Sequence, residues 1–401
     1  MDALRAQLFN AKNIPYISKK NINDSIGKHV LSQLDYAFYA GVYHDVLNTV
    51  GQQHLCVLKG GAAVSTHLKE VCPQLNDIDV EVWVDDYLDT VPLLALKNTV
   101  EKRVQRDGLL DRVQNVCDTM DMTAFTQKYY TAVEPKHVIV FKSYTNEAVQ
   151  FDAPHNVYFT VNGAMPIKMT MSRVDDSILV RYSFNVLAKS TRPMWLYCND
   201  TTCRRLDFFP FDFYFLDLNL QTKPTNRRDY VYLEAFSTKI IVDHLENVVI
   251  EQLECLFFNI FYFSWDKVNV RMKRLNELIK MLRNEPSANN KEEQARRVSE
   301  FKRMKSSYLT FTIKDVKGIM QTLGPFLGAR LIVQLYFEKR FRNNIKDVTH
   351  QVNFPYHCWD VKYFSKCWKQ YCIILNLLFN LNVSIKFNNV SSIKDNIKDI
   401  V

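Results

Sequence analysis

The sequence lacks the features that mark membrane and secreted proteins. No segment reaches the roughly 18 consecutive apolar residues that a membrane-spanning helix requires. Of the two most apolar segments, Cys255–Trp265 is too short, and Tyr371–Leu381 is interrupted by Asn376 and Asn380. The opening residues, Met1–Asn10, contain no sustained apolar run, so no secretory signal is expected. We therefore expect an intracellular protein without a membrane partner.

Cysteine is present without a pattern. The nine cysteines are an odd number, and no two pairs combine at zinc-finger spacing. We interpret them as reduced thiols. The sequence also has no internal repeat and no low-complexity tract. Its apolar fraction of 47% and charged fraction of 23% are those of an ordinary globular protein, and 401 residues suggest two or three domains.

Negative charge is scarce in the second half of the chain. Residues 222–401 contain 29 Lys and Arg against 18 Asp and Glu, whereas residues 1–221 carry a small net negative charge. A basic region beside a slightly acidic one favours a polyanion such as nucleic acid as the partner of the basic part. A solvated basic surface without such a partner has the same composition.

Hydrophobic periodicity divides the chain into three predicted parts. Residues 1–50 form a mainly helical segment, residues 51–221 alternate strands with helices, and residues 222–401 are largely helical. The elements of the middle part are predicted as strands or helices at His54–Leu58, Ala62–Glu70, Asp77–Val84, Leu93–Val116, Val138–Phe141, Ala148–Phe151, Ser177–Leu187 and Phe211–Leu220. The expected class is α+β, with a mixed sheet and helices followed by a helical C-terminal region.

Chemistry is concentrated in a glycine turn followed by an acidic strand. Gly60 and Gly61 end one predicted strand and open a helix. Glycine lets the backbone approach a ligand closely, and the free N–H groups of a helix N-terminus attract phosphate. Ser65, one turn further along, is a further candidate ligand, although it is also an ordinary helix residue.

About sixteen residues later, carboxylates alternate with apolar residues along a strand. Asp77, Asp79 and Glu81 share one face, and the apolar residues between them share the other. We expect the acidic face to lie on the solvent side. Neighbouring carboxylates repel each other, and a divalent cation relieves that repulsion. Oxygen ligands of this kind suit Mg²⁺ or Mn²⁺ and not zinc.

The order and spacing of these two motifs resemble the nucleotidyltransferase superfamily of polymerase-beta type, and most closely the poly(A) polymerase catalytic subunits of large DNA viruses. The resemblance covers roughly residues 54–280. It implies a third carboxylate on a neighbouring strand, for which Asp217 and Asp152 are candidates. We prefer Asp217, because the preceding strand Ile178–Tyr182 carries Arg181 and could pair with the strand of Asp217. Asn219 departs from the small hydroxyl residue usual there, and Asp207 and Asp212 leave the strand register open.

The resemblance implies template-independent addition of AMP from ATP to RNA 3′ ends, that is, polyadenylation in mRNA processing. Asp77, Asp79 and Asp217 would bind two Mg²⁺ or Mn²⁺ ions, and Gly60 and Gly61, with Ser65, would bind the nucleotide. Single-stranded RNA would lie on the basic region, with Arg271, Lys273 and Arg274 as candidates. The candidate locations are the host cytoplasm, the virion and the nucleus, and the candidate protein partners are a second copy of the chain or a processivity subunit.

Three other functions fit the same residues. A nucleotidyltransferase of the same superfamily could act on a protein, a small molecule or a second nucleotide. An inactive fold could serve as a scaffold or RNA-binding subunit, although a scaffold has no need for the repelling pair Asp77 and Asp79. A nucleic-acid-binding protein without chemistry explains the basic region but not the acidic strand.

Overall fold

The chain forms two compact units, residues Met1–Asp243 and His244–Val401. The computed structural model describes residues 17–85, 89–120, 122–123, 137–141, 147–152, 154–174, 177–198, 202–221, 230–261 and 265–284. The predicted helices at Lys291–Ser306 and Phe326–Phe341 lie outside the described residues. The first unit contains both the N-terminal segment and the middle part, which the sequence analysis separates at residue 50.

The first unit contains strands of two sheets and five described α-helices. The described strands are β1 (Ile17–Ser18), β2 (Leu55–Lys59), β3 (Ile78–Trp83), β4 (His137–Phe141), β5 (Glu147–Asp152), β6 (Val157–Val161), β7 (Ile167–Val174), β8 (Ser177–Ser190), β9 (Met194–Cys198), β10 (Thr202–Leu206), β11 (Phe209–Gln221), β12 (Tyr230–Ala235) and β13 (Thr238–Asp243). The helices are α1 (Lys19–Leu31), α2 (Tyr36–Thr49), α3 (Gly60–His67), α4 (Val91–Arg106) and α5 (Leu109–Asp118). In the second unit the described helices are α6 (Leu245–Phe261) and α7 (Trp265–Asn284).

The larger sheet has eight strands in the order β12-β13-β2-β3-β11-β8-β6, with β7 paired to β8 off this path. The pairs β3–β11 and β13–β2 are parallel, and the other pairs are antiparallel. The sheet is therefore mixed. This confirms the α+β class with a mixed sheet and helices.

Period-two alternation explains the central strands. Along β11 the phenylalanines Phe211, Phe213 and Phe215 are buried, and the residues between them are half-buried. Burying such side chains contributes roughly 1.5–3 kcal/mol each, so the alternation fixes which face of the strand turns to the core. Helix α2 contacts this face through Phe38, which packs edge-on against Phe215 at 5.6 Å between ring centroids.

Two predicted boundaries differ from the structure. The single helix expected at Leu93–Val116 is two helices, because Gly108 adopts φ +63° between α4 and α5. The sheet also continues beyond residue 221, where a helical region was expected. Hairpin β12–β13 adds two strands next to β2, so the first unit ends at Asp243.

A smaller five-stranded sheet has the order β1-β4-β5-β9-β10. Its β4 and β5 pair antiparallel, as the sequence predicts for a hairpin. In both units, no described helix is long and apolar enough to cross a membrane. Five of the described cysteines are free thiols: Cys56, Cys72, Cys117, Cys203 and Cys255.

Candidate active site

The glycine turn forms where β2 passes into α3. Lys59 is the N-cap residue, and its side chain does not cap the helix, so α3 begins without a side-chain cap. Gly60 has φ +60°, a conformation that side chains with a Cβ rarely adopt. A Cβ atom at Gly60 would lie 1.8 Å from Oδ2 of Asp79. Only glycine therefore fits between the turn and the acidic strand, and Gly61 follows it in the first turn.

The strand register brings the predicted carboxylates together. Asp217 on β11 is the partner of Asp79 on the parallel neighbour β3. Lys59 is the partner of Asp79 on the other side. Paired residues on adjacent strands project from the same face of a sheet. Asp79 therefore lies between the glycine turn and the third predicted carboxylate.

Asp77 directly precedes β3 and is half-buried, as is Asp79. The loop before it is held by helix α2, because the Tyr39 hydroxyl donates a hydrogen bond of 2.8 Å to the carbonyl of Asn76. Burial raises the pKa of the Tyr39 phenol, and the negative charge of Asp77 raises it further. Asp77 therefore starts the strand from a fixed position close to Tyr39.

The pKa of the Asp217 carboxyl is strongly perturbed. Burial raises the pKa to about 6, Arg181 lowers it, and the negative charge of Asp77 raises it. Nε of Arg181 lies 3.2 Å from Oδ2 of Asp217, and the Arg181 guanidinium also stacks over the Tyr214 ring at 4.9 Å. Oδ1 of Asp217 is buried without a hydrogen-bond partner. A buried, unpaired carboxylate oxygen beside a second carboxylate marks a place where positive charge is missing.

The donor chemistry of Asp77, Asp79 and Asp217 suits a hard divalent cation, since all three are carboxylates and Oδ1 of Asp217 lacks a partner. Within the described part of the chain, no group of three or more His, Cys, Asp or Glu side chains is arranged to hold a metal ion. In this conformation the three carboxylates therefore share one region of the sheet without forming a complete ligand set.

The alternative third carboxylate lies elsewhere. Asp152 is the last residue of β5 in the five-stranded sheet, where it pairs with His137. It belongs to a different sheet from Asp79. Of the two candidates, the structure brings only Asp217 into register with the acidic strand.

Two expectations around the site differ from the structure. Glu81 was expected on a solvent-facing strand face, but it is 2% exposed and accepts a hydrogen bond of 2.9 Å from Nε1 of Trp83. Ser65, a candidate nucleotide ligand, is buried, and its hydroxyl donates a hydrogen bond of 2.7 Å to Glu70. The contact favours a structural role for Ser65, which fixes the end of α3 to the following loop.

Sequence reasoning missed Asp243. Its carboxylate forms an ion pair with Lys59, and Lys59 also lies 3.7 Å from Glu81. Asp243 is fully buried. No local pattern in the sequence points to it, because it is 184 positions from Lys59.

In the second unit, the predicted RNA-binding residues have different environments. Arg271 donates hydrogen bonds to Asn259, at 2.9 Å, and to Gln252, and thereby joins α7 to α6. Lys273 is exposed, and Arg274 is half-buried and interacts with another group of the protein. Arg271 therefore stabilises the packing of α7 on α6, and Lys273 is a candidate whose side chain is exposed to solvent. The further basic candidates Arg296, Arg297, Lys302, Arg303 and Lys305 lie outside the described residues.

Comparison with known proteins identifies the family. The family described as Autographa californica nuclear polyhedrosis virus (AcMNPV), Orf18, matches residues 2–332, and the chain belongs to that family. No curated protein and no solved structure matches the chain.

Proposed function

We propose that this member of the Orf18 family is a template-independent RNA 3′-adenylyltransferase of the polymerase-beta type. The observation that carries the proposal is the register of Asp217 with Asp79, directly above the glycine turn at Gly60. A structural role for two half-buried carboxylates on adjacent strands is costly, because like charges at this spacing destabilise the fold. A nucleotidyl-transfer site needs this arrangement.

Asp77, Asp79 and Asp217 would hold Mg²⁺ or Mn²⁺. The bound cations would lower the pKa of the attacking 3′-hydroxyl and stabilise the leaving pyrophosphate. Arg181 keeps Asp217 in place through the 3.2 Å contact and partly neutralises it. The Tyr214 ring fixes the guanidinium from the other side.

The glycine turn would bind the triphosphate. Helix α3 starts at Gly60 without a side-chain cap, so its first N–H groups have no partner from a capping side chain. Those groups and the partial positive charge of the helix N-terminus suit phosphate oxygens. The absence of a Cβ at Gly60 leaves room for the carboxylate of Asp79 to lie against the turn where the triphosphate would bind.

The choice of ATP and RNA rests on the likeness to viral poly(A) polymerases. The exposed Lys273 and the other basic residues of α7 fit sequence-tolerant phosphate contacts, which weaken as salt rises. Arg271 is excluded from that set by its hydrogen bonds to Asn259 and Gln252.

A second candidate is a catalytically inactive nucleotidyltransferase scaffold. It is favoured by the contact of Asp217 with Arg181 and by the absence, among described residues, of a group already arranged to hold a metal. In such a scaffold the Arg181 guanidinium would permanently take the place of a cation. ATP with Mg²⁺ should then leave the melting temperature of the protein unchanged.

The deciding experiment is extension of a 5′-labelled single-stranded RNA by each of the four NTPs with Mg²⁺ or Mn²⁺. We expect a ladder with ATP from the wild type and none from Asp77→Ala or Asp79→Ala, both of which should remain folded. Asp217→Asn should also be inactive. Asp212→Asn, on the same strand but paired with Lys168, is the matched control and should retain activity.

Three outcomes would contradict parts of the proposal. Full activity of Asp217→Asn with loss in Asp152→Asn would move the third ligand to the other sheet. A longer or stronger ladder with another nucleotide than with ATP would contradict the proposed preference for ATP. No product from folded wild-type protein would favour either an enzyme with another acceptor or the inactive scaffold. The melting temperature separates these two, because ATP with Mg²⁺ should raise it for the enzyme and leave it unchanged for the scaffold.

A further inference from the structure

Beside the three candidate ligands lies a buried charge cluster composed of Lys59, Glu81 and Asp243. Lys59 forms an ion pair with the carboxylate of Asp243 and lies 3.7 Å from Oε2 of Glu81. The side chain of Lys59 is 11% exposed, that of Glu81 is 3% exposed and that of Asp243 is 0% exposed. Burying three charges costs several kcal/mol of desolvation for each ion, so the cluster adds little to stability as such. A cluster of this kind is better explained by what it positions.

The cluster fixes helix α3 at both ends. Lys59 is the N-cap residue of α3, and His67 is its last residue. Nε2 of His67 lies 2.8 Å from the backbone carbonyl oxygen of Asp243, while Lys59 binds the carboxylate of the same residue. One residue at the end of β13 therefore holds both termini of the helix.

Helix α3 depends on such anchors. It has only eight residues, and helices shorter than about 12 residues are marginal on their own. It also has no side-chain cap at the N-terminus, where the N–H groups assigned to the phosphates lie. The orientation of Gly60 and Gly61 must therefore be set by tertiary contacts.

We propose that Lys59 is a positioning residue, which through Asp243 and Glu81 holds the Gly60–Gly61 turn against Asp79. The inference rests on the proposed function, because the turn is assigned there to the triphosphate. Lys59 is the register partner of Asp79 and directly precedes Gly60, so its ion pair restrains the chain where the turn meets the acidic strand. The Lys59 ammonium group contacts the carboxylates of Asp243 and Glu81, and these contacts hold the backbone of the turn in place.

The test compares Lys59→Met, Asp243→Asn and the double variant. The double variant removes both charges of the Lys59–Asp243 pair, so neither residue is left as a buried ion without the other. Glu81 loses the nearby Lys59 but keeps its hydrogen bonds from Trp83 and Gln221. Lys168 and Asp212 form a similar ion pair at 2.9 Å between strands of the same sheet. Lys168→Met with Asp212→Asn is therefore the matched control.

The first readout is amide hydrogen exchange, without nucleotide, of residues 63–67, whose N–H groups form the hydrogen bonds within α3. We expect exchange about tenfold or more faster in the Lys59→Met and Asp243→Asn double variant, with α4 unchanged, because the anchored N-terminus opens locally. The control pair should not change exchange at residues 63–67. Unchanged exchange there in a folded double variant would overturn the inference, whether or not the protein transfers nucleotides.

The second readout is steady-state kinetics with ATP. A displaced Gly60–Gly61 turn weakens triphosphate binding, so in the double variant KM for ATP should rise about tenfold while kcat falls less. Lys59→Arg, which keeps the positive charge, should lose less affinity for ATP than Lys59→Met. Normal kinetics in an active, folded double variant would also overturn the inference and leave the proposed function intact. Inactive wild type with faster exchange in the variant would overturn the proposed function and keep the positioning role.

Discussion

Replacing Asp217 by Asn should make the protein more stable while removing its activity. In the folded state, burial raises the pKa of Asp217 to about 6 from its ordinary value of 3.8. The folded protein thus binds this proton more tightly than the unfolded chain. The stabilising contribution of the protonated group is complete below pH 4 and is lost as pH rises through 6. Above that, the ionised carboxylate is a cost to the fold.

The size of this cost follows from the shift. The difference between 3.8 and about 6 corresponds to roughly 3 kcal/mol at about pH 8, as an upper bound. At about pH 5 the carboxyl is mostly protonated in the folded state, and the cost falls to roughly 1.5 kcal/mol. Asn has nearly the same shape and no charge, so Asp217→Asn should recover most of this energy. Arg181 loses its partner; its side chain is 39% exposed, but its Nε is buried, so part of the recovered energy is offset.

Urea unfolding at the two pH values measures the effect. We expect the free energy of unfolding of Asp217→Asn to exceed that of the wild type at pH 8, with a gain that shrinks by about half at pH 5. Added Mn²⁺ should stabilise the wild type and not the variant. Asp212→Asn, which breaks the ion pair with Lys168, should show no gain at either pH.

A loss of stability in Asp217→Asn at pH 8, or a gain independent of pH, would refute this reasoning. Either result would mean that the carboxylate of Asp217 is already compensated in the folded protein. The site would then be a structural ion pair with Arg181 and not a ligand held ready for a cation.

Two further predictions concern the same site. Gly60→Ala should destabilise the protein by roughly 1–3 kcal/mol and abolish transfer, because the new Cβ would collide with Asp79 at a backbone φ of +60°. Thermal unfolding measures the loss of stability, with Gly163→Ala as the control, because a Cβ at Gly163 would have nothing within 4 Å. Equal destabilisation by the two substitutions would contradict the collision. Arg181→Gln should raise the pKa of Asp217 further, since Arg181 lowers it, and should move the acidic limb of the pH–rate profile to higher pH; an unmoved limb would show that another group limits the rate.

Local patterns in the sequence predicted much of the site. The Gly60–Gly61 turn, the strand of Asp79 and the pairing of the Arg181 strand with that of Asp217 all agree with the structure. The turn and the acidic strand depend on interactions within a few residues, such as alternation along a strand or glycine at a turn, whereas the pairing was inferred from the order of the two predicted strands. The break at Gly108 was also visible as a glycine within a helical pattern, and the prediction of one helix overlooked it.

By itself, the sequence determined which residues share a face of each strand and where the chain turns, because these follow from the geometry of the backbone and from side-chain size. Apart from the pairing of the Arg181 and Asp217 strands, the tertiary structure decided which strands are neighbours. It placed Asp217 and not Asp152 beside Asp79, covered Glu81, and brought Asp243 to Lys59. The physical reason is that strand order and burial depend on contacts between distant segments, and local periodicity contains no information about which segments meet.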